Sequence, residues 1–409
     1  MSGRGERLRR LIAEEIRARG PISFERFMEH ALYEPELGYY ACAGKEGGPG
    51  IDFCTSPQVG AIFARLIAAQ VEECWRRLGE PQRFRVVEFG AGSLELARGI
   101  VQALGAAGAW PAGSLYLAVD PYARAAAAAA GSAAGAPASA DAGATPAGAP
   151  CSSCNPRQVD QPEALRALAG GEGIVLSNEL IDAMPVRRFV ARSGRGLEVR
   201  VGLAGAAPPA ADPRAGASGP GDAFVEVEAE VEDAEAREAL RGLAPVAEGF
   251  QFEVNLRARA WMEEIGRALR RGYVLTLDYG YRRTERFRPE RAAGTLLAYH
   301  RHRVERDLYA RVGEQDLTSH VDFDDLIDAG RRTGLDLIGL TDQMRFLTAH
   351  ARRLGILEGE PASAAAWRER LAFKELIRPG GMGTTFRVLA QAKEAPGGAL
   401  TGFEDPFAP

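Results

Sequence analysis

Glu88, Gly90 and Gly92 are the residues whose types and spacing most clearly imply chemistry in this chain. They close the run Phe-Arg-Val-Val-Glu-Phe-Gly-Ala-Gly at 84–92, and a helical pattern follows over Gly92–Leu104. A buried strand that enters a glycine turn and then a helix brings backbone N–H groups close to a nucleotide-like ligand. A dinucleotide site wants a third glycine three residues after the second, and that position is Glu95. An acidic residue two before the first glycine suits S-adenosylmethionine instead, whose aminoacid end is positively charged. Glu88, Gly90, Ala91 and Gly92 are therefore candidate cofactor contacts. An ordinary strand–turn–helix would use the same glycines to supply positive φ.

Further polar groups stand where other apolar runs end. Asp120 closes the run Ser114–Val119, where a nucleoside-binding fold places a carboxylate against ribose hydroxyls. A solvated strand-end Asp is the plainer alternative. Ser177-Asn178-Glu179-Leu180-Ile181-Asp182 puts an amide and two carboxylates just past another run. Glu179 and Asp182 share a face if a helix begins there, and helix capping explains one of them. Methyl transfer is an in-line displacement from a sulfonium, so alignment and exclusion of water are the main needs. Paired carboxylates hold a guanidinium nucleophile well, because its planar fork matches them. His320, in a polar run followed by Asp322, can take a proton or hold an acid in place; a structural histidine is the competing reading. Arg301, Arg303 and Arg306 with His300 and His302 form a basic cluster that Glu314, Asp316, Asp322, Asp324 and Asp325 can pair with.

The elements that must position these groups follow from punctuation. Arg7–Arg19 and Ser23–Leu32 have helical spacing, the second capped by Ser23 after Pro21. Gly38–Gly50 reads as a loop, and Pro57–Leu78 as a helix leading to the glycine-turn strand. Ile174–Ser177 and Tyr273–Leu277 are short apolar runs of buried-strand type, the latter preceded by the helix Arg257–Arg270. Arg187–Val201 and Phe224–Val231 alternate like solvent-facing strands. Residues 123–150 and Pro208–Gly221 are of low complexity. Alternating strands and helices predict a doubly wound α/β sheet with an antiparallel lid or added subdomain. A ligand in that fold sits at the carboxyl ends of the strands, so 88–92, Asp120, 178–185 and 278–281 should converge.

Composition excludes some classes. A net charge of −5 over 409 residues leaves no electrostatic footprint for nucleic acid. No apolar run approaches the roughly 20 residues of a membrane span. The basic N-terminal residues alternate with Glu6, Glu14 and Glu15, unlike a transit or signal peptide, so a cytoplasmic protein is expected. Cys151 and Cys154 form a C-x-x-C pair with no second pair, and a zinc site needs four ligands, so no metal is expected. Cys42, Cys54 and Cys74 read as buried small side chains.

With these motifs in one order, the chain resembles the MidA family of S-adenosylmethionine-dependent methyltransferases, which includes the mitochondrial complex I assembly-factor methyltransferase. The resemblance is carried by Gly20-Pro21-Ile22-Ser23-Phe24, Gly38-Tyr39-Tyr40, Asp52-Phe53-Cys54-Thr55-Ser56-Pro57, Glu88-Phe89-Gly90-Ala91-Gly92 and 177–186. It continues through Asp278-Tyr279-Gly280-Tyr281, Gly294-Thr295-Leu296, 299–303, 313–323 and 382–389. It implies a Rossmann-like class I methyltransferase sheet with a helical N-terminal extension (1–80) that contributes to the cofactor pocket. The core would span 81–185 and 250–409, and an inserted antiparallel lid 186–249. It implies S-adenosylmethionine as cofactor and arginine N-methylation of a protein, such as a respiratory-complex subunit, and it admits a homodimer. Glu179, Asp182 and His320 would be catalytic, with Asn178, Thr55 and Pro57 added to the cofactor contacts. The family's third glycine is replaced by Leu94, and its strand after the second helix is hidden near the low-complexity stretch. A catalytically weak assembly factor that keeps the fold is the alternative, and a nicotinamide oxidoreductase is disfavoured by the missing glycine.

Overall fold

The apolar run Phe84–Phe89 forms a strand in the middle of an α/β sheet. Strands lie in the order Asp336–Asp342, Phe386–Lys393, Arg271–Tyr281, Glu172–Asn178, Phe84–Phe89, Leu115–Val119, Arg157–Val159. From Arg271–Tyr281 to Arg157–Val159 every neighbouring pair is parallel, whereas Phe386–Lys393 runs antiparallel to both its neighbours. Parallel strands covered on both faces need continuous apolar sequence, which is what Phe84–Phe89 and Glu172–Asn178 present. This is the Rossmann-like sheet expected. The strand hidden in the sequence is Arg157–Val159, too short to give an apolar signal and placed by its pairing with 117–119.

The computed structural model describes residues 3–42, 56–120, 155–205, 223–241, 246–301, 303–361 and 363–408. They divide into two units. One comprises Cys54–Leu180, Trp261–Gly280 and Phe323–Pro409 and holds the sheet above. The other comprises Met1–Phe53, Ile181–Ala260 and Tyr281–Asp322. This division differs from the expected segments: 1–80 is shared between the units, and 281–322 groups with the antiparallel region. Thr55, Cys151, Cys154, His302 and most of the low-complexity stretches lie outside the described residues.

In the sheet unit, helices Ala61–Arg77 and Glu95–Ala106 bury Phe63, Ile67, Leu96 and Ile100 with Val86, Leu176 and Leu275 of the strands. Each such side chain contributes roughly 1.5–3 kcal/mol by leaving water. Two helix starts differ from the expected ones. Pro57–Leu78 is broken at Gly60, between Ser56–Val59 and Ala61–Arg77. The helix after the glycine turn begins at Glu95, because Leu94 takes the left-handed φ of 63° that ends the turn.

In the other unit, helices Gly3–Arg19 and Phe24–Tyr33 pack Leu8, Ile12, Phe24 and Phe27 into a core with Val201 and Leu317. Ser23 caps the second helix by accepting from the Arg26 N–H at 3.2 Å. An antiparallel sheet runs Ile22–Ser23, Arg195–Leu203, Arg187–Arg192, Gln251–Val254, with Phe224–Ala229 paired to Arg195–Leu203. Arg187–Arg192 is not the solvent-facing strand its charges imply: its residues are buried to Ala191. Cross-strand pairing makes this tolerable, with Arg187 on Glu198 at 2.7 Å and Arg188 on Glu226 and Gln251. A separate three-stranded sheet runs Arg303–Glu305, Leu297–His300, Asp316–Thr318.

Candidate functional site

The glycine turn is sewn onto the end of the neighbouring strand. Gly90 N–H donates to Val119 O at 2.9 Å, and Gly92 N–H donates to Asp120 Oδ2 at 2.9 Å. Gly90 has φ +76°, and a Cβ there would stand 3.0 Å from the Leu180 side chain. The ends of strands Phe84–Phe89, Leu115–Val119 and Glu172–Asn178 thus meet at residues 90–92, 120 and 178–180, as the fold rule requires. Leu94 takes by strain the left-handed path that a glycine takes freely, so the turn keeps its course despite the missing glycine.

The carboxylates expected at the site have distinct surroundings. Glu88 is buried and accepts from Tyr116 Oη at 2.7 Å. Burial lifts its carboxyl to about 7, the Tyr116 bond opposing and the Asp120 charge adding to the rise. At neutral pH it therefore carries only part of its charge, and a nearby cation would draw it into the charged form. Glu179 adopts φ +52°, and no helix begins there. The shared helical face expected for Glu179 and Asp182 is therefore absent, and the two residues belong to different units. Glu179 Oε1 instead accepts from Ser56 N–H at 3.1 Å and from the Asn178 side-chain amide at 3.0 Å, while its own N–H donates to Leu277 O at 3.0 Å. A non-glycine residue held at positive φ by three hydrogen bonds marks a place where position matters. Asn178 Oδ1 is buried with no hydrogen-bond partner among the described residues, as expected of an atom that waits for a ligand. Pro57 lies in the helix Ser56–Val59 that Glu179 caps.

In the other unit Asp182 is buried, and its carbonyl accepts from Ser319 N–H at 2.9 Å. His320 donates its backbone N–H to Thr295 Oγ1 at 3.1 Å and stacks obliquely on Tyr281, their rings 5.0 Å apart. Burial lowers the His320 pKa to about 4, with Arg286 and Arg291 lowering it further against Glu253. Such an imidazole is neutral at pH 7. The Gly294–Thr295 part of the motif set has a structural job: Gly294 has φ +82°, and Thr295 N–H and Oγ1 donate to the buried Glu253 carboxylate.

Asp316 was legible in the sequence only as a partner for the basic cluster. It is buried and accepts from Tyr40 Oη at 3.2 Å. The signal that could have found it is its register: Asp316 stands opposite Tyr299 across two short strands. Among the described residues no group of His, Cys, Asp and Glu is arranged to hold a metal, and no helix is long and apolar enough to cross a membrane.

The chain matches over residues 66–341 the model of a family described as "Putative S-adenosyl-L-methionine-dependent methyltransferase". A Drosophila melanogaster relative named protein arginine methyltransferase NDUFAF7 homolog, mitochondrial, is 27% identical over 95% of this chain and 85% of its own. The Mus musculus protein arginine methyltransferase NDUFAF7, mitochondrial, is 27% identical over 92% of this chain and 82% of its own. A solved COG1565 superfamily protein from Burkholderia thailandensis, bound to S-adenosyl-homocysteine, superposes with a TM-score of 0.78 at 30% identity, covering 98% of this chain and 95% of that one. The relatives' mitochondrial names overturn the expectation of a cytoplasmic protein.

Proposed function

Because the chain belongs to this family and is an S-adenosylmethionine-dependent methyltransferase, we propose that it methylates arginine in a protein substrate, as its relatives' names state of them. The observation that carries the cofactor half is the convergence of three strand ends on a glycine turn whose Gly92 amide is tied to Asp120. The residues fit the group: a Cβ at Gly92 would meet nothing nearer than Gly90 O at 4.0 Å, so a ligand can approach the turn there; Asp120 lies where ribose hydroxyls would donate, and Asn178 Oδ1 lacks a partner among the described residues. Glu88 would favour the cationic aminoacid end, and Pro57 would border it through the helix capped by Glu179.

When bound, the cofactor supplies an activated methyl group on a sulfonium. The protein's part is to exclude water and align the nucleophile. Asp182 is the carboxylate assigned to the guanidinium, because it is buried and acts on the phenols around it. Glu179 is a positioning residue that holds Ser56 and Asn178, and His320, neutral at pH 7, orients its neighbours. A subunit of a respiratory complex is the finer substrate reading, resting on family resemblance alone. Mass spectrometry of arginine methylation in cells with and without this gene tests the proposal. Methylarginine sites that vanish with the gene support it, and an unchanged arginine methylome contradicts it.

A further inference from the structure

A buried amide stands among the apolar side chains of the sheet unit. Gln343 opens the helix Gln343–Arg353, is fully buried, and is followed by the buried Phe346 and Leu347. Its Nε2 donates to Leu376 O at 3.0 Å, at the end of the helix Ala364–Leu376. That bond turns Oε1 the other way, where it accepts from Ser56 Oγ at 3.5 Å. Ser56 is fully buried too, and its backbone N–H donates to Glu179 Oε1 at 3.1 Å. Glu179 Oε1 also accepts from Asn178 Nδ2 at 3.0 Å, so the Asn178 amide presents Oδ1 away from it. All of these residues belong to the sheet unit.

A line of hydrogen bonds thus runs from Leu376 through Gln343, Ser56 and Glu179 to Asn178. It ends at Asn178 Oδ1, which is buried with no hydrogen-bond partner among the described residues. A buried amide is costly unless it is bonded, and a bonded one fixes a single arrangement of the groups it joins. The far end of the line is held as well. Gly383, in the motif 382–389 that the glycine turn leaves unexplained, packs so closely that a Cβ there would collide with the Ile377 carbonyl. Its N–H donates to Arg378 O at 3.2 Å, which fastens the chain just past Leu376. The line therefore begins at a fixed helix end and stops where a ligand atom is needed.

We propose that Gln343 is a positioning residue of the methyl-donor site. It holds the Ser56 hydroxyl, Ser56 holds Glu179, and Glu179 orients Asn178 so that Oδ1 accepts from a donor group of the cofactor. With that amide turned over, the cofactor would meet an N–H donor where it needs an acceptor. The inference rests on the reading of the cofactor site above and adds Gln343, which stands 287 residues after Ser56 in the chain.

The test measures S-adenosyl-homocysteine binding to the full chain by calorimetry, with melting temperatures alongside. Gln343→Met keeps the length of the side chain and removes both of its hydrogen bonds. Ser56→Ala deletes only the hydroxyl and keeps the N–H that Glu179 accepts. Each should weaken binding about three- to tenfold, and the double variant no more than the stronger single one, because both cut the same line. A purely structural Gln343 predicts a lowered melting temperature with unchanged affinity in the folded protein. Unchanged affinity in Ser56→Ala or in folded Gln343→Met, or additive losses in the double variant, overturns the positioning role. Asn178→Ala separates this inference from the reading beneath it. Lost affinity there, with none lost in the Gln343 and Ser56 variants, overturns the role of Gln343 and leaves the site standing. Normal affinity in Asn178→Ala overturns the placement of the donor at this strand end, and the role of Gln343 with it.

Discussion

The Gly92 amide donates to the Asp120 carboxylate at 2.9 Å, tying the glycine turn to the end of the next strand. This bond explains how a turn lacking its third glycine stays in place, and it sets Asp120 beside the backbone that must meet the cofactor. Ribose hydroxyls donating to the same carboxylate would add bonds to a charged acceptor, each worth about 1.5–3 kcal/mol. Asp120→Ala should therefore weaken S-adenosylmethionine binding roughly 10- to 100-fold by calorimetry. An unchanged dissociation constant would return Asp120 to a purely structural role.

Gly90→Val should abolish measurable cofactor binding. The new side chain would be forced to φ +76° and pressed against Leu180, its Cβ 3.0 Å away, which would shift the turn that the cofactor is proposed to meet. Circular dichroism should show the fold retained with a lowered melting temperature. Near-normal affinity in this variant would mean that the cofactor binds elsewhere.

Glu179 separates charge from position. Glu179→Gln keeps an oxygen that accepts from Ser56 and Asn178, so stability, cofactor affinity and most of the turnover should survive. Glu179→Ala removes both bonds and should cost about 1–3 kcal/mol of stability together with cofactor affinity. A loss of turnover of about 100-fold or more in the Gln variant, with binding intact, would instead assign the charge a direct part in alignment.

Much of the sheet is visible in the sequence because its strands are buried on both faces. Phe84–Phe89, Leu115–Val119 and Glu172–Asn178 show as apolar runs, and the residues that end them are the ones that meet. What escapes local reading depends on distant partners. Arg187–Arg192 looks solvent-facing until Glu198 and Glu226 are seen to neutralise it. Glu179 and Asp182 look like a helical pair until the backbone at Glu179 turns to φ +52°. Asp316 acquires meaning only through Tyr299 across the strand and Tyr40 far earlier in the chain.

Glu88 gives the protein a predictable pH dependence. Its carboxyl is raised to about 7 in the folded state from an ordinary value of 4.5, so the folded protein holds a proton that the unfolded chain releases. Its contribution to stability is fully present below about pH 4.5 and is lost as pH rises through about 7. Glu88→Gln keeps a group able to accept from Tyr116 and should remove this slope, raising the melting temperature relative to the wild type more at pH 8 than at pH 5. An equal difference at both pH values would contradict the buried, raised carboxyl.

The most direct test of the central claim is to supply purified protein with S-adenosylmethionine labelled in the methyl group and a mitochondrial extract, then hydrolyse the products and identify the labelled amino acid. The account predicts labelled methylarginine with the wild type and none with Gly90→Val, since the same glycine turn must hold the methyl donor. Label on another amino acid, or equal methylarginine from the two proteins, would contradict it.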